Sequence, residues 1–123
     1  MLMAGNYRCI TEDGMRTAKE AVHTDLEASR SIYDFVIEVC TKIGASKDEL
    51  VPFEKYAAAA SDLSRPASAA RALTNGAVNI ERADKLVQLV ASQNGMRHAM
   101  LDLIVARVDR RLDANRKAKQ SAA

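Results

Sequence analysis

The sequence has few of the residues that usually anchor a large hydrophobic core. Of its 123 residues, 4% are aromatic, and tryptophan is absent. Much of the 48% hydrophobic fraction is alanine, so we predict a thin, aliphatic core. A chain of this length is expected to form a single helical domain over 1–123, with an irregular N-terminus over 1–10 and a frayed tail over 119–123.

Long apolar runs are also missing. No run approaches the roughly 20 residues needed to cross a bilayer, and the first residues lack the apolar stretch of a secretory signal. We therefore expect a cytoplasmic protein with no membrane span. Strand-like alternation never extends beyond a few residues, and this predicts an all-α fold.

The motifs that carry chemistry are absent as well. His23 and His98 stand alone, without a second ligand at metal-binding spacing. The five glycines are scattered singly, so there is no phosphate-binding loop, and no nucleophile motif occurs. We expect no enzymatic activity, no cofactor and no metal site, and we name no catalytic residue.

The first third of the chain has the pattern of one long helix. Thr11 is a candidate N-cap, and it is followed by two acidic residues that suit the positive end of a helix dipole. Apolar residues then recur at steps of three and four as far as Ile43, and Gly44 supplies a stop. These features predict a helix of about 32 residues, about 48 Å long.

The remaining helices are predicted to be shorter. A capping box at Ser46 opens a helix over 46–63, although Pro52 should kink it or delay its start. A short helix follows over 66–75. The last third could be one helix to about residue 118, but the turn signal over 93–95 favours a break there.

Together these elements predict an elongated helical bundle, with long N-terminal and C-terminal helices and shorter alanine-rich helices between them. A thin bundle of this size is marginal alone, so we expect a homo-oligomer in which the two long helices pair with another copy. The predicted interface is made of the apolar residues on both stripes: Val22, Leu26, Ile32, Val36, Val39, Ile43, Met100, Leu101, Ile104, Val108 and Leu112.

From this architecture we expect a non-enzymatic protein–protein interaction module. Such a module acts as an oligomeric helical adaptor, a scaffold or a small regulator. Its partners are predicted to be further copies of itself and an unidentified protein. The same apolar stripes serve as predicted core and predicted interface, so the sequence does not separate stability from function there.

The C-terminal end of the chain suggests a second hypothesis, a nucleic-acid contact. Residues 107–119 carry six basic and two acidic side chains, whereas the rest of the chain is net negative. Basic clusters bind phosphates in a salt-dependent, sequence-independent way. The alternative is a solvated helix end, stabilised by cations near its negative pole. The candidate contact residues are Arg71, Arg107, Arg110, Arg111, Arg116, Lys117 and Lys119.

A segment in the middle of the chain carries a family resemblance. The sequence "AAAASDLSRPASAARALTNG" followed by "NIERADKLVQLV" resembles a helix-turn-helix of the lambda-repressor type, over about 54–90. The resemblance implies a DNA-binding transcriptional regulator, with the helix after Pro66 entering the major groove. The turn position that this family fills with glycine is Asp62 here. The alternative interpretation is that the small residues form a packing helix.

Overall fold

The computed structural model describes residues 2–122 of the chain, and over this range it is mostly helical and contains no strand. This confirms the predicted all-α class. Six α-helices follow one another along the sequence: α1 (Ala18–His23), α2 (Leu26–Lys42), α3 (Phe53–Ala60), α4 (Ser68–Thr74), α5 (Ala83–Gln93) and α6 (Ala99–Ala122). A π-helical turn (Leu2–Asn6) and two 3₁₀ turns (Tyr7–Cys9 and Lys47–Glu49) complete the described elements.

The long N-terminal helix is not confirmed, because the structure divides this region into a loop and two helices. Thr11 does not cap a helix: its hydroxyl accepts from the Gly14 amide at 2.9 Å and closes a turn. Ile10 and Met15 face each other across this turn in a β-bridge. Residues 10–15 therefore form a hairpin-like loop and not the start of a helix.

The first helix begins instead at a capping box. The Thr17 hydroxyl accepts from the Glu20 amide, and the Glu20 carboxylate accepts from the Thr17 amide, both at 3.1 Å. This reciprocal pair satisfies two N–H groups that a helix leaves free at its start. After His23 the chain breaks and restarts, with Asp25 accepting from the Ala28 amide at 3.0 Å as the cap of α2.

The segment before the loop, expected to be irregular, lies in the centre of the molecule. The turns over residues 2–9 pack against α1, α2, α4 and α5. Met3, Cys9 and Ile10 are buried. A Cβ on Gly5 would lie 1.9 Å from the hydroxyl of the buried Tyr56, so only glycine fits there without a shift of the tyrosine.

The middle of the chain follows the sequence signals more closely. The helix predicted over 46–63 is α3, which starts at Phe53, directly after Pro52, and not at the predicted cap Ser46. The short helix α4 is followed by its C-cap Asn75 and then by Gly76. The φ of Gly76 is +94°, a value that only glycine reaches easily. The predicted break after α5 is confirmed, with Gly95 in the left-handed region.

The last helix is the longest one described, and it continues to Ala122, within the tail over 119–123 expected to fray; Ala123 lies outside the described residues. Its buried stripe consists of Leu101, Ile104, Val105, Val108 and Leu112. α6 packs against α5 and α4. Among residues 2–122, no helix combines the length and the apolar character that crossing a bilayer requires.

Candidate functional site

A groove of about 650 Å³ runs along the outward face of α2. Asp34, Ile37, Glu38, Thr41 and Lys42 line it, and their spacing places them on one side of the helix. The opposite side of α2 is buried in the core through residues such as Ile32 and Val39. The helix therefore fixes the groove on a rigid support.

The first wall of the groove is the segment between α2 and α3, which runs back along α2. The Tyr33 hydroxyl donates to the Val51 carbonyl at 2.7 Å. The Tyr33 ring meets the Phe53 ring edge-on, with 5.4 Å between centroids. Arg30 covers the same Phe53 ring at 4.9 Å and forms an ion pair with Glu54. These contacts bring the start of α3 beside residues 30–34.

The second wall is Met96, in the connection between α5 and α6. His98 holds this connection against α2, with its Nε2 2.8 Å from the Ser31 hydroxyl and its ring 5.1 Å from that of Phe35. Its Nδ1 accepts from the Met100 amide at 3.1 Å and so caps α6. An acceptor Nδ1 places the ring proton on Nε2, which donates to Ser31. His98 is thus a structural link between helices.

The groove combines an apolar lining with a charged rim. Ile37, Leu50, Pro52, Phe53 and Met96 supply the apolar surface, and Phe53 is almost fully buried. The charged rim consists of Asp34, Glu38, Lys42, Lys47 and Glu54.

The first four of these rim residues have no ion pair or hydrogen-bonded side-chain partner within the described part of the chain; Glu54 is the exception, paired with Arg30. A polar rim around apolar surface is common at protein interfaces, so the groove is a candidate binding surface.

The predicted oligomer interface lies mostly inside the chain. Seven of its residues are buried in the core: Val22, Ile32, Val39, Leu101, Ile104, Val108 and Leu112. Val36 and Met100 are half-buried against that core. Leu26 and Ile43 are exposed, at 46% and 58%. Most of the residues on the two apolar stripes thus contribute to the interior of one molecule, whereas Leu26 and Ile43 lie on its surface.

The arginines of α6 are engaged within the molecule. Arg107 and Arg110 bind the Glu12 carboxylate, at 3.1 and 3.0 Å. Arg111 donates to the carbonyls of Thr11 and Gly14 at 2.8 and 2.7 Å. These bonds fasten the loop before α1 to α6, and the two guanidinium groups hold the pKa of Glu12 below its ordinary value.

Further along α6, Arg116 donates to the Val78 carbonyl at 3.0 Å and so holds the connection before α5. Lys117 and Lys119 are exposed and have no such bond within the described residues. Arg71 is exposed on α4. Of the predicted nucleic-acid contacts, these three have no ion pair or hydrogen-bonded partner within the described residues.

The segment that resembles a helix-turn-helix has a different connection in the structure. Residues 61–67 join α3 to α4, which is longer than the three- or four-residue turn of that motif. The amides of Ala18 and Lys19 donate to the carbonyls of Arg65 and Leu63, so this connection is bound to the start of α1. Ala70 and Leu73 of α4 are buried, as expected for a packing helix.

Two charged side chains are buried and serve the fold. Arg8 is 7% exposed and donates to the Ser29 hydroxyl, and burial together with Arg16 lowers its pKa. Asp84 is fully buried and receives two hydrogen bonds from Arg82, at 3.0 and 2.9 Å.

Burial, then the neighbouring Cys9, raises the pKa of Tyr56 to about 12. Within residues 2–122, no group of histidine, cysteine and carboxylate side chains is arranged to hold a metal ion.

Comparisons with known proteins add no assignment. The chain matches no protein-family model, and comparison with curated proteins and with solved structures finds no similar protein. The groove along α2 is therefore the feature of the molecule that bears on function.

Sequence reasoning did not identify this groove, because its lining comes from three separate stretches of the chain. One local signal was available. Asp34 and Glu38 are like charges at i and i+4, a pair that destabilises a helix by about 0.2–0.5 kcal/mol. An unfavourable pair of this kind can indicate a role outside the helix.

Proposed function

We propose that this chain is a non-enzymatic protein-interaction module of the cytoplasm, and that the groove along α2 is its binding surface. One observation carries the proposal. The groove joins an apolar lining to four charged side chains that have no partner within the described residues. Other exposed charges, such as Arg71 and Lys117, also have no partner within the described residues, but the charges of the groove border an apolar lining.

The two components of the groove have different physical roles. Covering apolar surface contributes about 25 cal/mol per Å² to association. Charges at the rim contribute less to affinity, but they select partners and fix their orientation. A surface with both components suits a protein segment with its own apolar face and charged edges.

DNA binding is the second hypothesis, and fewer groups support it. Phosphate contacts need cations that are free to replace counterions. Lys117, Lys119 and Arg71 meet that condition, whereas four arginines of α6 are bound to the chain's own carbonyls and carboxylates. Three scattered cations give weak binding with a shallow salt dependence.

Site-specific photo-cross-linking tests both hypotheses in the cells that produce the chain. A short diazirine amino acid is placed at Thr41, which is exposed in the groove, and in a matched variant at Lys119, which is exposed on α6. We expect a cross-linked protein from the Thr41 position and none from Lys119.

The two positions separate the outcomes. A protein adduct at Lys119 with none at Thr41 would overturn the groove as the binding surface. A nucleic-acid adduct at Lys119 would favour the DNA hypothesis. Circular dichroism of both purified variants establishes that each has kept the helical fold.

A further inference from the structure

Resting on the proposed function, we infer that the groove is filled by a second copy of the same chain. The two copies pair antiparallel along α2, about a two-fold axis beside Thr41.

The charges of the groove are separated into two ends. Asp34 and Glu38 lie toward the start of α2, and Lys42 lies about 12 Å beyond Asp34 at 1.5 Å per residue. The wall opposite α2 has the same order, because its chain runs the other way. Lys47 follows the end of α2, whereas Glu54 lies at the start of α3, beside Arg30. One end of the groove is therefore acidic and the other basic.

A surface with one acidic and one basic end is complementary to itself. A two-fold axis through its centre places the acidic end of each copy against the basic end of the other. With the axis level with residue 40, one residue from Thr41, Glu38 faces Lys42 of the second copy. In the same register, Asp34 faces Lys47 of the second copy.

All four charges without a partner in the single chain thereby acquire one of opposite sign. The like-charged pair Asp34 and Glu38 is compensated on the same helix face where it is otherwise unfavourable.

The boundary between the acidic and the basic end, between Glu38 and Lys42, suits an axis. Thr41 is uncharged, and its hydroxyl donates to the Ile37 carbonyl at 2.8 Å within its own helix. Two threonines can therefore meet at the axis without leaving a buried donor unsatisfied. The half-buried side chains of Ile37, Leu50 and Met96 lose further contact with water when the groove is covered. The apolar contribution is limited to these few side chains, so we expect a reversible dimer with a micromolar dissociation constant.

Charge variants test the pairing directly. The first variant combines Asp34→Lys with Glu38→Lys, and the second combines Lys42→Glu with Lys47→Glu. Because these four side chains are not bonded within the chain, both variants should fold, which circular dichroism and thermal unfolding check. Sedimentation velocity then measures the mass of the wild type, each variant alone, and an equimolar mixture of the two.

We expect the wild type to dimerise and each variant alone to be weakened by about a hundredfold, since like charges then face each other. In the mixture every facing pair is again opposite in sign, so a dimer should return. The two variant grooves carry opposite charge and attract each other in any register, so the recovery supports self-pairing only together with a wild-type dimer of the same mass.

Failure of this inference is distinguishable from failure of the proposed function. A wild type that stays monomeric, or variants that do not associate on mixing, would overturn the dimer. If Thr41 still cross-links to a different protein in cells, the groove remains a protein-binding surface and its occupant is that protein. If Thr41 cross-links to nothing, the proposed function fails as well.

Discussion

α6 and the outward face of α2 both carry many charged residues, but they differ in where those charges are bound. On α6, Arg107, Arg111 and Asp109 have partners elsewhere in the chain. On α2, Asp34 and Glu38 have no partner within the described residues. In the sequence, the basic run at the end of the chain is more conspicuous than the like-charged pair Asp34 and Glu38.

The contrast shows that charge density alone does not locate a binding surface. A guanidinium that already donates to carbonyl oxygens must lose those bonds before it binds a phosphate, and this cost opposes the new contact. A free carboxylate beside apolar surface has no such cost. The more informative feature is therefore an exposed charge that the fold leaves unbound beside apolar surface.

The largest expected effect comes from removing a charge that the fold uses. Arg82 holds the fully buried Asp84 and also donates to Asp109 at 2.7 Å. Arg82→Met leaves the Asp84 carboxylate buried without its cation. We expect the free energy of unfolding to fall by about 3–5 kcal/mol, as measured by urea denaturation.

Lys85→Met is the matched control for this prediction. Lys85 contacts the same Asp109 at 3.1 Å, but its side chain is half exposed and does not bind Asp84. An exposed ion pair contributes at most about 1 kcal/mol. Equal losses for Arg82→Met and Lys85→Met would mean that the buried carboxylate does not depend on Arg82.

Some parts of the fold can be predicted from the sequence better than others. The stripe from Leu101 to Leu112 is buried as its periodicity predicts, because one helix face decides it. The burial of residues 2–9 is not predictable from local pattern. It depends on distant contacts, such as the bond from the Ala83 amide to the Tyr7 hydroxyl at 2.9 Å and the close approach of Tyr56 to Gly5.

The candidate site is less accessible to sequence reasoning than the fold. Its walls meet because Tyr33 binds Val51 and because His98 binds Ser31, and neither pair is close in sequence. For the basic tail, the sequence shows the charge of Arg111 but not the groups that it binds. Its acceptors are carbonyl oxygens near the other end of the chain.

A smaller effect is expected at the loop that α6 fastens. Arg111→Ala removes two charge-assisted hydrogen bonds to the carbonyls of Thr11 and Gly14. Because the side chain is half-buried, we expect a loss of about 2–3 kcal/mol in the free energy of unfolding. Amide exchange should also become faster over residues 10–15 than elsewhere.

Lys117→Ala provides the comparison on the same helix. Lys117 is exposed and unbound within the described residues, so its replacement should change stability by less than about 0.5 kcal/mol. If the two variants proved equally stable, the arginines of α6 would be a solvated helix end and free to bind a partner.

The smallest effect is expected on α2, and it bears most directly on the contrast. Asp34→Asn removes a charge that has no partner in the chain and relieves its repulsion with Glu38. At protein concentrations low enough to keep the groove empty, stability should rise by about 0.2–0.5 kcal/mol or stay unchanged. A loss as large as that of Arg111→Ala would show that the charges of α2 are bound inside the molecule.

At high concentration the order should reverse, because pairing stabilises the wild type by mass action and the variant has lost one facing pair at each end of the groove. A stability difference that changes sign with concentration has no explanation within a single chain, so it would assign these charges to binding.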